Sequence, residues 1–435
     1  MKIPEELERL NKEELIQVIL TLKEQFEKRI AELERKLLAY ENAHTPPSRN
    51  NRNYPKQEKS NNHVGAQKGH EGTTRETPEP NRFKELNLKA CPDCGKQLGR
   101  PRSIHKKIII DILEPQPLNI TKYVISIYFC NHCNQQVIPV DRGLPVKGIF
   151  GPNIMAEIAL LKNEDRLPYS KIASILNRQY GLDITAATAL DINRRVADKL
   201  QGTYEEIKQE IISSSQVNAD ETGIKVQGKN YWTFLFMSLT SVLFMIRPGR
   251  GKKTIKEALG NYQGILSCDG WASYPKCVKL IQRCWAHLLR EAKWLAEKHE
   301  GQSRLLYNLL CKMFNQIKKI TIDTIQGIKT RTYNWCVKMM KQLINTCKAY
   351  AELRKFADKI ENGFEYWFTC ILHPEIEPTN NRAERELREI VVQRKISSLW
   401  NEKGVRIKET IMSCLATWRL RGLNTFSMLR QTLSS

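Results

Sequence analysis

At 435 residues, 41% hydrophobic and 27% charged, the chain has the composition of a globular protein long enough for several domains and at least one large core. Its 69 Lys and Arg against 47 Asp and Glu leave a formal net charge of +22, an electrostatic footprint for a polyanion, with nucleic acid the leading partner. No apolar run approaches the roughly 18 residues of a spanning helix and the chain opens on MKIPEELERL, so no membrane role is expected and the location is expected to be cytoplasmic.

Residues 1–40 are expected to form one long helix. Leu15, Ile19, Leu22, Phe26, Ile30, Leu33 and Leu37 make a single apolar stripe, and Glu24–Lys28 and Glu32–Lys36 support its polar side. The stripe predicts a coiled-coil, leucine-zipper-like dimerisation helix, or else an amphipathic helix docked on its own chain. Its mean spacing is nearer 3.67 than 3.5 residues, so a zipper absorbs a stutter. Residues 41–84 have no apolar period and read as a basic disordered linker.

Residues 85–145 change to strand-like runs, KKIIIDIL and NITKYVISIYF around the turn EPQPL. This segment carries Cys91-Pro-Asp-Cys94 and Cys130-Asn-His-Cys133, two CxxC turns separated by 35 residues. Each turn offers two thiolates, so the pair predicts a four-cysteine structural Zn²⁺ site in a ribbon-like module; a redox pair is the competing reading. The other eight cysteines read as small buried hydrophobes.

Residues 146–212 are predicted to be helical, with 170–179 and 185–200 placed around a Gly-containing turn, as in a helix-turn-helix DNA-binding region or any helical hairpin. Strands follow in VNADETGIKV, NYWTFLFMSL, VLFMIRP, GILSCDG and CVKLIQRCW, with a helix at KKTIKEALG. That order predicts a mixed sheet flanked by helices over residues 213–293 and 375–422. Residues 294–374 interrupt it as a helical insertion, and within 301–360 twelve Lys and Arg meet three acids. So one-sided a run points to DNA contact, with Tyr333, Trp335 and Tyr350 among the charges. Residues 423–435 read as a C-terminal tail.

Three acids stand out against the basic background. Asp220 and Asp269 end short apolar runs that read as strands, and Glu384 sits in the first turn of a late helix. Each has a plain structural alternative: turns for Asp220 and Asp269-Gly270, and a capping box Asn381-Arg-Ala-Glu384 for the third. Their order is another matter, because carboxylates gathered by a fold hold divalent ions for phosphoryl transfer.

The phrases ADETG, CDGWASY, RCWAHLLRE and NNRAERELR, with GAQKGHEGTT, the paired knuckles and LPYSKIASIL in order, resemble the IS66 family of bacterial insertion-sequence transposases. The resemblance implies an RNase H-like core of the DDE superfamily within an α/β multidomain chain. It implies catalytic Asp220, Asp269 and Glu384 holding two Mg²⁺ (or Mn²⁺), water-driven cleavage at the element's ends, and strand transfer by the freed 3′-hydroxyl. The implied partners are terminal inverted repeats, target DNA, a second copy of the chain and accessory proteins of the same element, with nucleoid association when DNA is bound.

Around Glu384, Arg382, Arg385, Arg388, Arg394 and Lys395 are expected to clamp phosphates, although Arg388 at i,i+4 could pair with Glu384 instead. His287 is a further candidate for DNA contact, or a helix-packing histidine. Asn380 and Asn381 could orient the helix or touch DNA. The chain ends 51 residues after Glu384, where family members often continue. Two alternatives remain: a non-catalytic regulatory or domesticated copy, and an RNase H-like structure-specific nuclease.

Overall fold

The computed structural model describes residues 151–434 except 300, 397, 398 and 400, together with 20, 23–27, 29–30, 93, 95–97, 118–124, 127–130, 132, 134–137 and 148–150. Most of the expected coiled coil, all of the linker, and Cys91, Cys94 and Cys133 lie outside these residues, as does the side chain of Cys130. Within the first helix the described residues are helical, and Phe26 and Ile30 of its stripe are exposed. Among the described residues no helix is long and apolar enough to cross a membrane.

A short antiparallel hairpin, β1 (Tyr128–Cys130) and β2 (Gln135–Val137), wraps the second knuckle, with Asn134 in the left-handed region at φ 51°. The strand expected over 119–129 is present only at its end. Among the described residues, 119–124 are irregular, and Ile120 and Val124 are exposed.

Helix α1 (Pro152–Asn163) has proline at its start, where a missing N–H is harmless. Helix α2 (Tyr169–Tyr180) ends at Gly181, whose φ of 67° closes the last turn. Helix α3 (Ala186–Ser213) is capped by Thr185, which accepts from the Thr188 amide. It runs well past the 185–200 expected of it. Its buried residues continue through Tyr204, Ile207 and Ile211, so its second half lies on the sheet, not free as a recognition helix.

The main sheet has the order β5-β4-β3-β6-β7. Strands β3 (Gln216–Val226), β4 (Lys229–Met237) and β5 (Val242–Arg247) form an antiparallel meander. The β3–β4 turn is Gln227-Gly228, both at positive φ (48° and 75°), which matches the twist of the strands it joins. Helix α4 (Lys252–Leu259) leads to β6 (Ile265–Cys268), which runs parallel to β3, and β7 (Leu280–Arg283) runs parallel to β6.

The helical insertion then follows: α5 (Trp285–Lys298), α6 (Gln302–Ile317), α7 (Gln326–Lys348), α8 (Ala351–Glu361), a 3-10 turn at Phe364–Trp367, and α9 (Thr369–Leu372). Helices α10 (Asn381–Ile396), α11 (Glu402–Leu420) and α12 (Thr425–Ser434) complete the chain.

Strand alternation sorts the core. Val217 and Ala219, with Phe234, Phe236, Leu243 and Met245, pack under α1–α3; Ile224, Val226, Leu235, Met237 and Phe244 pack under α10 and α11. The region 146–212 therefore shares one core with the sheet and is not a separable domain. The insertion has its own core, and this begins at Trp285, before the boundary expected at 294. Residues 423–435, expected as a tail, instead place buried Leu429 against the first core through α12. Tyr333, Trp335 and Tyr350 pack against the insertion's core and are not free aromatic contacts.

Candidate active site

Asp220 lies midway along β3, on the face turned toward α10. The parallel β3–β6 ladder ends at Asn218 and Ser267, so Asp220 lies two residues beyond it on β3 and Asp269 two residues beyond it in the loop after β6. Lying past the same end of this parallel ladder, the two aspartates come close enough for the charge of Asp269 to be felt at Asp220. Asp269 follows the last residue of β6, and its Oδ1 accepts from the Trp271 amide at 2.9 Å, which fixes the loop as an Asx turn.

Glu384 enters from α10, and the start of that helix is tied to β3. Asn380 is fully buried: its Nδ2 donates to the Ala219 carbonyl at 2.7 Å, and its Oδ1 accepts from Asn218 Nδ2 at 2.9 Å. Farther along, Arg394 Nη1 donates to Thr222 Oγ1 at 2.8 Å and to the Gly223 carbonyl. The helix is thus stapled to β3 on both sides of Asp220. The capping-box alternative fails by one residue. The Glu384 amide donates to the Asn380 carbonyl at 3.2 Å, which makes Asn380 the cap position and Ala383, not Glu384, its third helical residue.

The Glu384 carboxylate faces α5. Its Oε1 is 3.4 Å from His287 Nδ1 and its Oε2 is 3.6 Å from Arg290. Oε1 is buried and accepts no hydrogen bond. Among the described residues these are its ion pairs, and Arg388, the i,i+4 candidate, is exposed and not among them.

The four carboxylates here are mutually repulsive. Burial first, then Glu221, Asp269 and Glu384, hold Asp220 well above the ordinary carboxylate range, with partial relief from the Glu221 amide. The electrostatic reach of both Asp269 and Glu384 to Asp220 places all three in one neighbourhood. Glu221 points to the opposite face of the sheet. Its buried carboxylate is met by Arg250 and by the Tyr274 hydroxyl, and burial followed by Asp269 raises its pKa against them. Arg250 also lies 3.6 Å from Asp269 and sits between Trp232 and Trp271, 4.7 Å and 3.8 Å from their rings.

Of the residues expected to touch DNA, Arg385, Arg388 and Lys395 are exposed on α10 and Arg382 is partly so. Arg394 is committed to β3, and His287 faces Glu384 across the α5–α10 gap. Sequence reasoning missed Glu221, Arg250 and Tyr274. Only the acid next to Asp220 carried any signal for them. It also missed that Cys284, His287 and Glu384 place one ligand atom each within 4.8 Å of the others.

Residues 147–406 match the family described as "Transposase IS66 family". No curated protein matches the chain.

Proposed function

The chain belongs to the IS66 family of transposases, and on that premise we propose that Asp220, Asp269 and Glu384 are its acidic triad. Membership makes it a DNA phosphoryl-transfer enzyme of transposition and implies a divalent metal and DNA binding. The five-stranded mixed sheet is consistent with the RNase H-like core of such enzymes. The observation that carries the triad is the parallel pairing of β3 with β6, which sets Asp220 and Asp269 past the same end of the ladder, with α10 pinned to β3 on either side of Asp220.

The donor set fits Mg²⁺ or Mn²⁺. Three oxygen ligands lie within electrostatic reach, burial and then carboxylate repulsion lift Asp220, and Glu384 Oε1 is buried without a donor. When bound, the metal supplies charge stabilisation at the phosphoryl oxygens of an in-line displacement. The protein's share is to hold three carboxylates at fixed positions. Trp271 N–H orients Asp269, Asn380 orients the start of the Glu384 helix, and Arg250 offsets the charge of Glu221 behind the sheet. Exposed Arg385, Arg388 and Lys395, with Arg382, are offered to the phosphate backbone.

In this reading water cleaves the strand at a terminal inverted repeat and the freed 3′-hydroxyl then attacks target DNA. No covalent protein intermediate is needed. Cys91, Cys94, Cys130 and Cys133 hold a structural Zn²⁺, and the first helix joins two copies of the chain.

The test uses the full chain, Mg²⁺ and DNA carrying the element's ends. Asp220→Asn, Asp269→Asn and Glu384→Gln should each lower cleavage by roughly a thousandfold, since a lost ligand removes several kcal/mol of charge stabilisation. Cleavage surviving all three changes sinks the triad. A precleaved 3′-hydroxyl end should be joined to target DNA; cleavage without joining identifies a nuclease, and binding without either identifies a regulatory copy.

A further inference from the structure

We propose that Cys284, His287 and Glu384 form a Zn²⁺-preferring site, chemically distinct from the all-oxygen site of the triad. The proposal shares Glu384 with the transposase reading but rests on a different set of ligand atoms.

Cys284 is the residue before α5 and His287 lies in its first turn, a spacing that puts both side chains at one end of one helix face. Glu384 comes from the facing turn of α10. The three ligand atoms lie within 4.8 Å of one another, on side chains that are buried or partly buried.

The distances fit ligation of a cation better than a hydrogen-bonded cluster. His287 Nδ1 and Glu384 Oε1 are 3.4 Å apart. A charge-assisted hydrogen bond closes to about 2.7–2.9 Å. Two ligands bound at about 2.0–2.2 Å to one tetrahedral ion stand roughly 3.3–3.6 Å apart. Glu384 Oε1 is buried with no hydrogen-bond donor, so this oxygen has lost water without gaining a proton partner.

Three backbone amides are aimed at the Cys284 sulfur. The Cys284 sulfur accepts from the Asn380 amide at 3.1 Å, and the amides of Ala286 and His287 also hydrogen-bond to it. Backbone N–H groups aimed at a sulfur fix its position, as outer partners do for a metal ligand. Arg290 stands 3.6 Å from the other oxygen of Glu384, as an outer partner for the ligating carboxylate. One sulfur, one imidazole nitrogen and one carboxylate oxygen form a borderline-soft set that suits Zn²⁺ and repels Mg²⁺, and three protein ligands leave a fourth position open. Occupied, this site engages the same carboxylate that the transposase reading gives to Mg²⁺.

Co²⁺ is the spectroscopic stand-in for Zn²⁺. The metal-stripped full chain is titrated with Co²⁺ and compared with Cys284→Ser and His287→Ala, so that any four-cysteine site cancels in the difference. The wild type should bind one equivalent more than either variant, with a thiolate-to-cobalt charge-transfer band absent from Cys284→Ser. Equal stoichiometry and identical spectra overturn the proposal. Should either variant fail to fold, zinc-edge anomalous scattering from wild-type crystals soaked in Zn²⁺ decides. A peak among Cys284, His287 and Glu384 supports the site, and its absence there rejects it. Asp220→Asn keeps all three ligands. It should retain the thiolate-to-cobalt band while losing cleavage, whatever cobalt it loses from the carboxylate site, so failure of the zinc site and failure of the triad are read separately.

Discussion

Glu221 is the residue whose environment demands most of the protein. Its carboxylate side chain is wholly buried, beside Asp220 in sequence and within reach of Asp269, and a buried charge without a partner is costly. Arg250 meets it from between two tryptophans, a position that lysine, lacking a planar fork, cannot reproduce. Arg250→Ala should destabilise the fold by about 3–5 kcal/mol, and the double change Arg250→Met with Glu221→Gln should recover part of that. Urea unfolding decides it, and a loss below about 1 kcal/mol for Arg250→Ala would show the pair to be incidental. Asn380 works more locally. Asn380→Ala strands the Ala219 carbonyl and the Asn218 amide, at a cost of about 1–3 kcal/mol. Cleavage should fall further than stability alone explains, because the helix bearing Glu384 loses its anchor. The acids themselves were legible as short phrases. Arg250 was not, since nothing near residue 250 announces a partner at 221.

At the scale of elements, both edges of the main sheet are closed by side chains. On β5, the outward amides of Ile246, Phe244 and Val242 donate to Glu409, Ser413 and Thr417, one residue per turn of α11. Alternate strand residues advance about 6.6 Å and one helical turn about 5.4 Å, close enough for three consecutive matches. At the other edge, Gln282 of β7 accepts from the Cys370 amide at 2.7 Å, and Thr369 Oγ1 donates to the Ile281 carbonyl at 2.5 Å. The three β5 amides so occupied cannot template another strand. Ser413→Ala and Thr417→Val should each cost about 1–3 kcal/mol by leaving a buried N–H unpaired, and denaturation midpoints that do not move would show that water replaces the hydroxyl. Glu409 adds a pH dependence. Burial pushes it up to about 7, although Arg247 and the Ile246 amide pull the other way. Unfolded, it titrates near 4.3. The folded chain therefore favours protonated Glu409, and that stability is fully present below about pH 4.3 and lost as pH rises through about 7. Glu409→Gln should gain on the wild type by up to about 3 kcal/mol between about pH 4 and pH 8; parallel stability curves for the two chains would rule this out.

For the whole molecule, the net charge of +22 is the dominant long-range feature, and its effect is on DNA association. Affinity should fall linearly on a log–log plot against salt. Arg385→Ala and Arg388→Ala should each reduce the slope by about 1 if each side chain neutralises one phosphate, whereas an unchanged slope would place DNA elsewhere on the protein. By itself the sequence determined the strand and helix order of the sheet region, because each element carries its own hydrophobic period and turn residues. It also picked out Asp220, Asp269 and Glu384 as the acids to watch. Tertiary structure decided what lies between elements: that α3 shares the sheet's core, that the insertion's core starts at Trp285, that Arg394 is a staple, and that Glu384 faces Cys284 and His287 instead of capping its own helix. These depend on register and on contacts between residues distant in the sequence. Local periodicity reports which face of an element is buried, and it holds no record of what that face will meet.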